Sequence, residues 1–281
     1  MRLFKTIAEI RAFRQECYRQ GKTVALVPTM GYLHEGHLSL ARAARKDCDV
    51  VVMSIFVNPT QFGPNEDFER YPRDLDRDLR LAEEAGVEAV FAPEVKEMYP
   101  PGYATYVEVE RLTEHLCGRS RPGHFRGVAT VVSKLFNIVQ PDKAYFGQKD
   151  YQQSVVIRRM VADLNFPLEI VVVPTVRDAD GLALSSRNKY LSPLERRSAL
   201  SLYRALLKGE ALIREGERRA GVVRRAMEEV ILASPGTKID YVAVSDAETL
   251  EPLEEIKGKA VLALAVWVGS TRLIDNLLVE V

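Results

Sequence analysis

The stretch TVALVPTMGYLHEGH, residues 23–37, decides the fold class. Its apolar first half is typical of a short buried strand ending at Thr29, and a segment with two glycines and two histidines follows. A helix pattern then runs from about Gly36 to Lys46, and a continuous apolar strand pattern follows at 49–57. Strand, helix and strand in this order predict a βαβ unit, whose parallel strands are buried on both faces.

The same alternation continues to about residue 176 and then changes. The N-terminal MRLFKTIAEIRAFR has an amphipathic helix pattern, in which Thr6 can cap a helix to about Gln20 and Gly21 can end it. Further helices are predicted at 73–86, 128–139 and 150–164, further strands at 87–93, 143–147 and 168–176, and an irregular segment at 94–127. Beyond these lie helix patterns at 194–215 and 218–233 and strand patterns at 239–246, 261–269 and 273–281. We predict an α/β domain with a parallel sheet at 1–176 and a smaller α+β domain at 177–281.

Composition and charge exclude several classes of protein. Lysine plus arginine equals aspartate plus glutamate, at 39 each, so a broad nucleic-acid footprint is not indicated. The N-terminus lacks the apolar core of a signal peptide, and no run is long enough to span a membrane. The three cysteines, Cys17, Cys48 and Cys117, are far apart and form no CxxC pair, which argues against a disulfide framework or a zinc site. We expect a cytoplasmic protein.

Four segments that follow strands share an unusual chemistry. They are PTMGYLHEGH (28–37), NPTQF (58–62), GQKDYQQ (147–153) and LSSRN (184–188). In open parallel sheets, ligands bind outside the carboxyl ends of the strands. Imidazoles, amides, a lysine, an arginine and hydroxyls together suit a nucleoside triphosphate and a small polar acid.

His34 and His37 lie three residues apart at the predicted first turn of a helix. Side chains at this spacing project from the same side, and the helix N-terminus attracts anions. The pair can therefore hydrogen-bond phosphates and stabilise a charged transition state. The alternative is a helix start with polar side chains satisfied locally. A zinc site is disfavoured, because HEGH does not have the HExxH spacing.

The other three loops offer Lys149, Arg187, Gln61 and a pair of glutamines, and each of the first three also has a structural alternative. Lys149 offers a cation after a strand, or it is a solvated surface lysine, and the GxxxxGK[ST] spacing of a P-loop is absent. Arg187 offers a planar fork for phosphate oxygens, or it belongs to a capped loop. Gln61 can hold a carboxylate or only its own loop. Gln152 and Gln153 point about 100° apart on a helix, so only one need face the loop.

The chain resembles the pantothenate synthetase (pantoate–β-alanine ligase) family. The stretches that carry the resemblance are PTMGYLHEGH, VNPTQF, YPRDLDRDL, GHFRGVATVVSKLFNIVQPDKAYFGQKDYQQ, PTVRDADGLALSSRN and TRLIDN, within about residues 20–275. An HxGH segment alone is weak evidence, since many nucleotidyltransferases carry one. The full set in this order is specific.

The resemblance implies a Rossmann-like nucleotidyltransferase domain, a smaller C-terminal α+β lid domain and a homodimer. It also implies that ATP and (R)-pantoate form pantoyl-adenylate and pyrophosphate, after which β-alanine displaces AMP to give pantothenate. The implied catalytic residues are His37, His34, Lys149 and Arg187. The implied ATP site comprises Met30, Gly31, Tyr32, Leu33, His34, Glu35, Gly36, His37, Gly147, Gln148, Lys149, Asp150, Val176, Leu184, Ser185, Ser186 and Arg187. Gln61 and Gln153 are implied to hold pantoate, and Gln61 also β-alanine.

The resemblance further implies Mg²⁺ on the ATP phosphates, and no organic prosthetic group. The protein ligands of the metal are not assigned by the sequence, although Asp76 and Asp78 are possible. The family assigns His37 as a proton donor, but the attacking carboxylate has no proton to lose. Stabilisation of charge on the phosphates is the role that we expect for this side chain.

Three other functions are compatible with parts of the pattern. Another adenylyltransferase that acts on a phosphate acceptor would need more cationic groups around that acceptor. A class I aminoacyl-tRNA synthetase would need a tRNA-binding domain and a basic surface. A nucleotide sensor without enzymatic activity could bind ATP through the same loops.

Overall fold

A computed structural model describes residues 1–64 and 66–281 of the chain. Its strands are β1 Arg2–Phe4, β2 Val24–Thr29, β3 Val50–Ile55, β4 Ala89–Phe91, β5 Lys143–Gly147, β6 Glu169–Val173, β7 Thr237–Asp246, β8 Lys259–Val268 and β9 Thr271–Glu280. Its α-helices are α1 Ile7–Arg19, α2 Glu35–Asp47, α3 Leu75–Glu84, α4 Val95–Met98, α5 Leu116–Ser120, α6 His124–Val139, α7 Tyr151–Asp163, α8 Pro193–Arg214 and α9 Ala220–Leu232. Short 3-10 helices span Pro59–Gln61, Gln148–Asp150 and Ser186–Tyr190. Of the loop 58–68, Asn65 lies outside the described residues.

The first six strands form one parallel sheet in the order β1-β4-β3-β2-β5-β6. The strand order reverses at β2, which has β3 on one side and β5 on the other. Ligands of open α/β sheets bind at such a switch point, outside the carboxyl ends of the strands. The last residues of β2 and β3, Thr29 and Ile55, pair with each other. The loops that follow these two strands therefore begin side by side. The predicted α/β class is confirmed.

The N-terminal residues differ from the prediction. Residues 2–4 form the edge strand β1, in which Arg2 pairs with Ala89 and Phe4 with Phe91, whereas the sequence pattern favoured a helix from the start. Three residues carry too little periodicity to identify a strand, and pairing with β4 decides their conformation. The predicted cap is confirmed, because Thr6 and Glu9 form a capping box at the start of α1.

The segment 94–127, predicted to be irregular, contains two short helices and the start of a long one. Helix α6 begins at His124, four residues before the predicted start at 128. Gly123, the residue before the helix, is in the left-handed conformation (φ 80°). The buried residues of α6 extend from Phe125 to Val139. The sequence did not predict this start, because the segment GHFRG (123–127) interrupts the apolar pattern.

The second sheet is antiparallel, with the order β7-β8-β9. Helices α8 and α9 pack with it around a core that includes Leu206, Met227, Leu262 and Leu264. Helices followed by an antiparallel sheet agree with the predicted α+β character of this part of the chain.

The chain divides into two compact units. The first comprises 1–110, 121–148 and 153–174, and the second comprises 111–120, 149–152 and 175–281. Two short segments from the first half of the chain therefore group with the second unit. The division into domains at 176/177 stays a prediction. Among the helices of the described chain, none is both long and apolar enough to cross a membrane.

Candidate active site

The loop after β2 is held by one buried carboxylate. The N–H groups of Tyr32 and Leu33 donate to the two oxygens of Asp78, both at 2.7 Å, and Asp78 is only 1% exposed. Gly31 (φ 80°) and Tyr32 (φ 49°) are both left-handed, which turns successive N–H groups toward one anion. A Cβ on Gly31 would lie 3.0 Å from an Asp78 oxygen, so glycine is required for this close approach.

Asp78 therefore has a structural role that the sequence did not reveal. Burial raises the pKa of its carboxyl, while the hydrogen bonds from Leu33 and Tyr32 act in the opposite direction. Asp76, the other carboxylate considered for Mg²⁺, is exposed on α3. Residues 1–64 and 66–281 contain no group of three or more His, Cys, Asp or Glu side chains that could hold a metal ion.

His34 and His37 begin helix α2 and form a reciprocal cap. His34 Nδ1 accepts from the N–H of Gly36 at 3.2 Å, and His37 Nδ1 accepts from the N–H of His34 at 3.3 Å. Because each Nδ1 is an acceptor, the neutral form of each ring carries its proton on Nε2. The ring centroids are 4.0 Å apart. The two predicted histidines are therefore brought together, as a pair of Nε2–H donors at a helix N-terminus.

The loop after β3 orients Gln61 through a chain of hydrogen bonds. Tyr99 donates its hydroxyl proton to Asn58 Oδ1 at 2.9 Å, and burial raises the pKa of Tyr99 to about 12, so the donor stays protonated at neutral pH. Asn58 Nδ2 then donates to Gln61 Oε1 and to the Gly127 carbonyl, both at 3.1 Å. This leaves Gln61 Nε2 as a donor, 3.1 Å from Met30 Sδ in the loop after β2. The structure thus joins two predicted loops through Gln61 and Met30.

Three residues that sequence reasoning left without a role brace this loop from outside. His124 Nδ1 donates to the Gln61 carbonyl at 2.8 Å, and Arg121 donates to the same carbonyl at 3.3 Å. Arg121 also forms an ion pair with Glu66 at 2.6 Å. Burial alone would raise the pKa of Glu66, but the hydrogen bond and charge of Arg121 outweigh burial and lower it. The basic residues in the segment CGRSRPGHFRG could have suggested a functional or bracing role from the sequence. The sequence did not indicate which loop they would contact.

Glycine is also required on α6, where the helix meets the loop after β3. A Cβ on Gly127 would collide with the carbonyl of Thr60. The close approach lets Asn58, which is 1% exposed, reach the Gly127 carbonyl.

At the end of β5 the predicted residues divide between the two units. Gly147 and Gln148 belong to the first, and a Cβ on Gly147 would meet no atom within 4 Å, so its surroundings are open. Lys149 and Asp150 belong to the second, with Lys149 Nζ 4.0 Å from the Asp150 carboxylate.

Gln152 and Gln153 have different environments, as their spacing predicted. The Gln152 amide donates to the carbonyls of Leu112 (2.9 Å) and His115 (2.8 Å) and accepts from the N–H of Cys117. Gln152 is therefore buried and structural, whereas Gln153 is half-buried.

In the second unit, Val176 lies next to the segment that carries Arg187. The N–H of Leu184 donates to the Val176 carbonyl at 3.0 Å, which closes the turn 177–183. Ser185 caps the 3-10 helix Ser186–Tyr190 by accepting from the N–H of Arg187 at 3.3 Å. The half-buried Arg187 is thus fixed one residue after a buried serine. Val176 and Leu184 are thus neighbours within this unit, and their place in an ATP site stays a prediction.

A family model described as pantoate-beta-alanine ligase matches residues 2–278 of this chain. The chain belongs to the pantoate–beta-alanine ligase family. The resemblance found in the sequence motifs is thereby confirmed.

Members of this family are similar over the whole chain. The pantothenate synthetase of Moorella thermoacetica is 73% identical over 281 residues, which cover 100% of this chain and 99% of that protein. That of Pelotomaculum thermopropionicum is 62% identical over 276 residues, 98% of each. A crystal structure of pantothenate synthetase from Thermus thermophilus matches with a TM-score of 0.94 and 54% identity, covering 99% of both chains.

A more distant member was solved with ligands. The pantoate-beta-alanine ligase of Francisella tularensis, complexed with beta-gamma ATP and beta-alanine, matches with a TM-score of 0.82 and 35% identity. It covers 99% of this chain and 97% of that chain. The roles of individual residues stay predictions.

Proposed function

We propose that the protein joins (R)-pantoate to β-alanine with ATP, through a pantoyl-adenylate intermediate, and releases AMP and pyrophosphate. Family membership supports the overall ligation. The observation that carries the mechanism is the pair His34 and His37, whose Nδ1 atoms both accept backbone N–H groups and whose Nε2 atoms are therefore donors. Two such donors at a helix N-terminus suit the charge that develops on phosphates when pyrophosphate leaves.

In the first step of the proposed mechanism, a pantoate carboxylate oxygen attacks the α-phosphorus of ATP. The new P–O bond forms as the bond from the α-phosphorus to the bridging oxygen breaks, and the electron pair leaves with pyrophosphate. No proton has to be removed from the attacking carboxylate. His34 and His37 would donate hydrogen bonds to the phosphates, which stabilises the transition state more than the ground state as negative charge grows.

In the second step, the free amine of β-alanine attacks the acyl carbon of the adenylate. The amide bond forms, the acyl–oxygen bond breaks, AMP leaves with the electron pair, and the attacking nitrogen releases one proton to solvent. Gln61 is proposed to meet both pantoate and β-alanine. Its Nε2–H donates to a thioether sulfur, Met30 Sδ, which is a weak acceptor, so a substrate oxygen would be a better partner.

The remaining predicted residues receive proposed roles by their chemistry. Lys149 and Arg187 would bind phosphate oxygens, and Gln153 would bind pantoate through a neutral amide. The residues proposed to line the ATP are 30–37, Gly147, Gln148, Lys149, Asp150, Val176 and 184–187. Mg²⁺ is proposed to enter as a complex with ATP, in which phosphate oxygens and water supply most ligands. We also propose a homodimer, as the family resemblance implies.

The alternatives predict different products and requirements. A nucleotide sensor would bind ATP without turnover, and an adenylyltransferase with a phosphate acceptor would not require pantoate. An acyl-phosphate route would attack the γ-phosphorus and release ADP. Neutral amides at Gln61 and Gln153 favour a small hydroxy acid over a phosphorylated acceptor.

Rapid-quench analysis with ATP labelled in the α-phosphate tests the proposal. With ATP, Mg²⁺ and pantoate but no β-alanine, we expect about one pyrophosphate per active site, followed by a stall, because a site that excludes water protects the adenylate. Adding β-alanine should release AMP and pantothenate in a burst. Labelled ADP as the first product, or pyrophosphate release without pantoate, would contradict the proposal.

A further inference from the structure

Two adjacent polar residues in the middle of strand β9 are buried. Asp275 is 3% exposed and Asn276 is 4% exposed, within the run LIDNLLVEV. Burying such groups costs free energy unless they are hydrogen-bonded. Successive side chains of a strand point to opposite faces, so the pair can contact two different segments. One contact is made with the segment that carries Lys149 and the other with the turn that leads to Arg187, and these are the two cations proposed to bind phosphate.

Asn276 contacts the segment that carries Lys149. Its Nδ2 donates to the Lys149 carbonyl at 2.8 Å. The same short segment is tied to the second unit at two further points, because the Tyr151 hydroxyl donates to the Ala247 carbonyl at 2.7 Å and Gln152 donates to the Leu112 carbonyl. The backbone that sets the origin of the Lys149 side chain is therefore fixed by β9 and its surroundings.

Asp275 contacts the segment that leads to Arg187. Its two oxygens accept from Arg177 at 2.6 and 2.9 Å, in a buried bidentate pair. Arg177 also lies over the ring of Tyr203 at 3.8 Å and donates to the Gly181 carbonyl at 3.2 Å. Arg177 thereby sets the turn 177–183. Its neighbour Val176 accepts from Leu184, and the 3-10 helix with Arg187 follows.

We propose that Asp275 and Asn276 are positioning residues for the two phosphate-binding cations. Asn276 fixes Lys149 through its carbonyl, and Asp275 fixes the Arg187 segment through Arg177. The inference rests on the proposed function for the role of the cations, but the anchoring contacts stand independently of it. Neither residue is assigned to touch a substrate. Adjacent residues on one strand hold both segments, so one strand would set the geometry of both cations.

The test for Asn276 is a double-mutant cycle with Lys149. Asn276→Asp keeps the size of the side chain but places an oxygen against the Lys149 carbonyl. Pyrophosphate formation from ATP and pantoate should fall by roughly tenfold or more, since a small misplacement of a catalytic group can cost about a hundredfold. Attack of β-alanine on supplied pantoyl-adenylate should change much less. In a Lys149→Ala background the same substitution should have little further effect on adenylate formation.

Ser245→Ala is the matched control for Asn276. Ser245 is buried on β7, and its Oγ has no hydrogen-bond partner among the described residues. This variant should retain both half-reactions. A loss from Asn276→Asp that persists at full size without Lys149, or that falls equally on both half-reactions, would overturn the inference.

Asp275 needs a different variant, because removing it alone leaves the Arg177 charge buried and unpaired. The double variant Arg177→Met with Asp275→Leu removes both charges together. It should fold, and its KM for ATP or its rate of adenylate formation should worsen while attack on supplied adenylate is retained. A folded double variant with unchanged adenylate formation would remove Asp275 from the proposal.

Hydrogen exchange separates failure of this inference from failure of the proposed function. The amides of 149–152 should exchange faster in Asn276→Asp than in wild type or Ser245→Ala. If wild type forms no pyrophosphate with pantoate but this difference is seen, the proposed function fails and the anchor stands. If wild type is active but exchange at 149–152 is unchanged, the anchor fails.

Discussion

The loop after β2 and the segment 149–152 are held in different ways. The first is fixed by Asp78, whose carboxylate binds the N–H groups of Tyr32 and Leu33 within the first unit. The second is fixed by Asn276 on the last strand, 127 residues away along the chain. In one case a charged side chain holds backbone donors, and in the other a neutral amide holds a backbone carbonyl. Hydrogen bonds to a charged group contribute more free energy than neutral ones. Loss of the Asp78 hydrogen bonds should therefore cost more than loss of the Asn276 hydrogen bond.

The largest effect should come from the loop after β2, at the histidines themselves. His37→Ala removes a donor that is proposed to act in the transition state, at a cost of about 3 kcal/mol, or roughly a hundredfold in adenylate formation. Pre-steady-state release of pyrophosphate measures this loss. Ser39→Ala, on the first turns of the same helix, is the control. A greatly lowered melting temperature with normal turnover of the remaining folded protein would make His37 structural.

His34→Ala should show the same loss together with reduced stability, because His34 is also the cap of α2. Losing a helix cap costs about 1 kcal/mol. Urea unfolding of His34→Ala and of wild type measures this cost. A His34→Ala variant as stable as wild type would contradict the capping role of His34.

The anchor of the same loop should give the next largest effect. Asp78→Asn replaces one acceptor oxygen by an amide that faces a backbone N–H, which should lower the free energy of unfolding by about 2 kcal/mol. Equilibrium urea unfolding measures it. Asp76→Asn, exposed on the same helix, should stay within about 0.5 kcal/mol of wild type. If both variants were equally stable, the loop would not depend on Asp78.

The cations of the second unit should matter in one half-reaction only. Lys149→Ala and Arg187→Ala each remove a charged phosphate contact, at about 2 kcal/mol, or roughly thirtyfold in adenylate formation. Single-turnover assays should show a much smaller loss when pantoyl-adenylate is supplied. Lys189→Ala, exposed beside Arg187, is the control. Equal losses in both half-reactions would argue against phosphate binding.

Two neighbouring glutamines allow a finer comparison of binding and structure. Gln153→Ala should raise the KM for pantoate by roughly tenfold, the loss of about one hydrogen bond, with the KM for ATP nearly unchanged. Gln152→Ala should instead lower stability, because it leaves the Leu112 and His115 carbonyls without this donor. Steady-state kinetics and thermal melting of both variants test this. A defect of Gln153→Ala in ATP alone would move that residue to the nucleotide.

The smallest effect should come from the ion pair that braces the loop after β3, and it depends on pH. The pKa of Glu66 is lowered in the folded protein, so its stabilisation is present above the unfolded pKa, near 4.3, and is lost as pH falls through the folded value. Glu66→Gln should therefore cost about 1 kcal/mol at pH 7 and less at pH 3. Urea unfolding at both pH values measures the difference. A cost that is equal at both pH values would exclude the carboxylate charge as its cause.

Local patterns predicted much of this molecule. Helix α1 was predictable because Thr6 and Glu9 are three residues apart and form its cap, and the strand at 24–29 because its apolar run is short and bounded. Strand β1 was missed because three residues carry no period. The start of α6 was missed because GHFRG reads as a loop. In both cases pairing or packing with distant residues decided the conformation.

The candidate residues show the same limit. His34 and His37 were predictable as a pair, because spacing on one helix turn is a local property. Their Nε2–H form was not, since it depends on which backbone N–H each Nδ1 accepts. Gln61 was predictable as a candidate, but its orientation depends on Tyr99 and Asn58.

The sequence by itself determined the alternation of strands and helices, the membership of the family and the groups offered at the strand ends. Periodicity, capping and motif order are properties of neighbouring residues, and they can be read without coordinates. Only the tertiary structure decided that Asp78 holds the loop after β2 and that Asn276 holds Lys149. The physical reason is that each anchor joins segments far apart in the chain, and a buried polar residue reveals its partner only when the chain has folded.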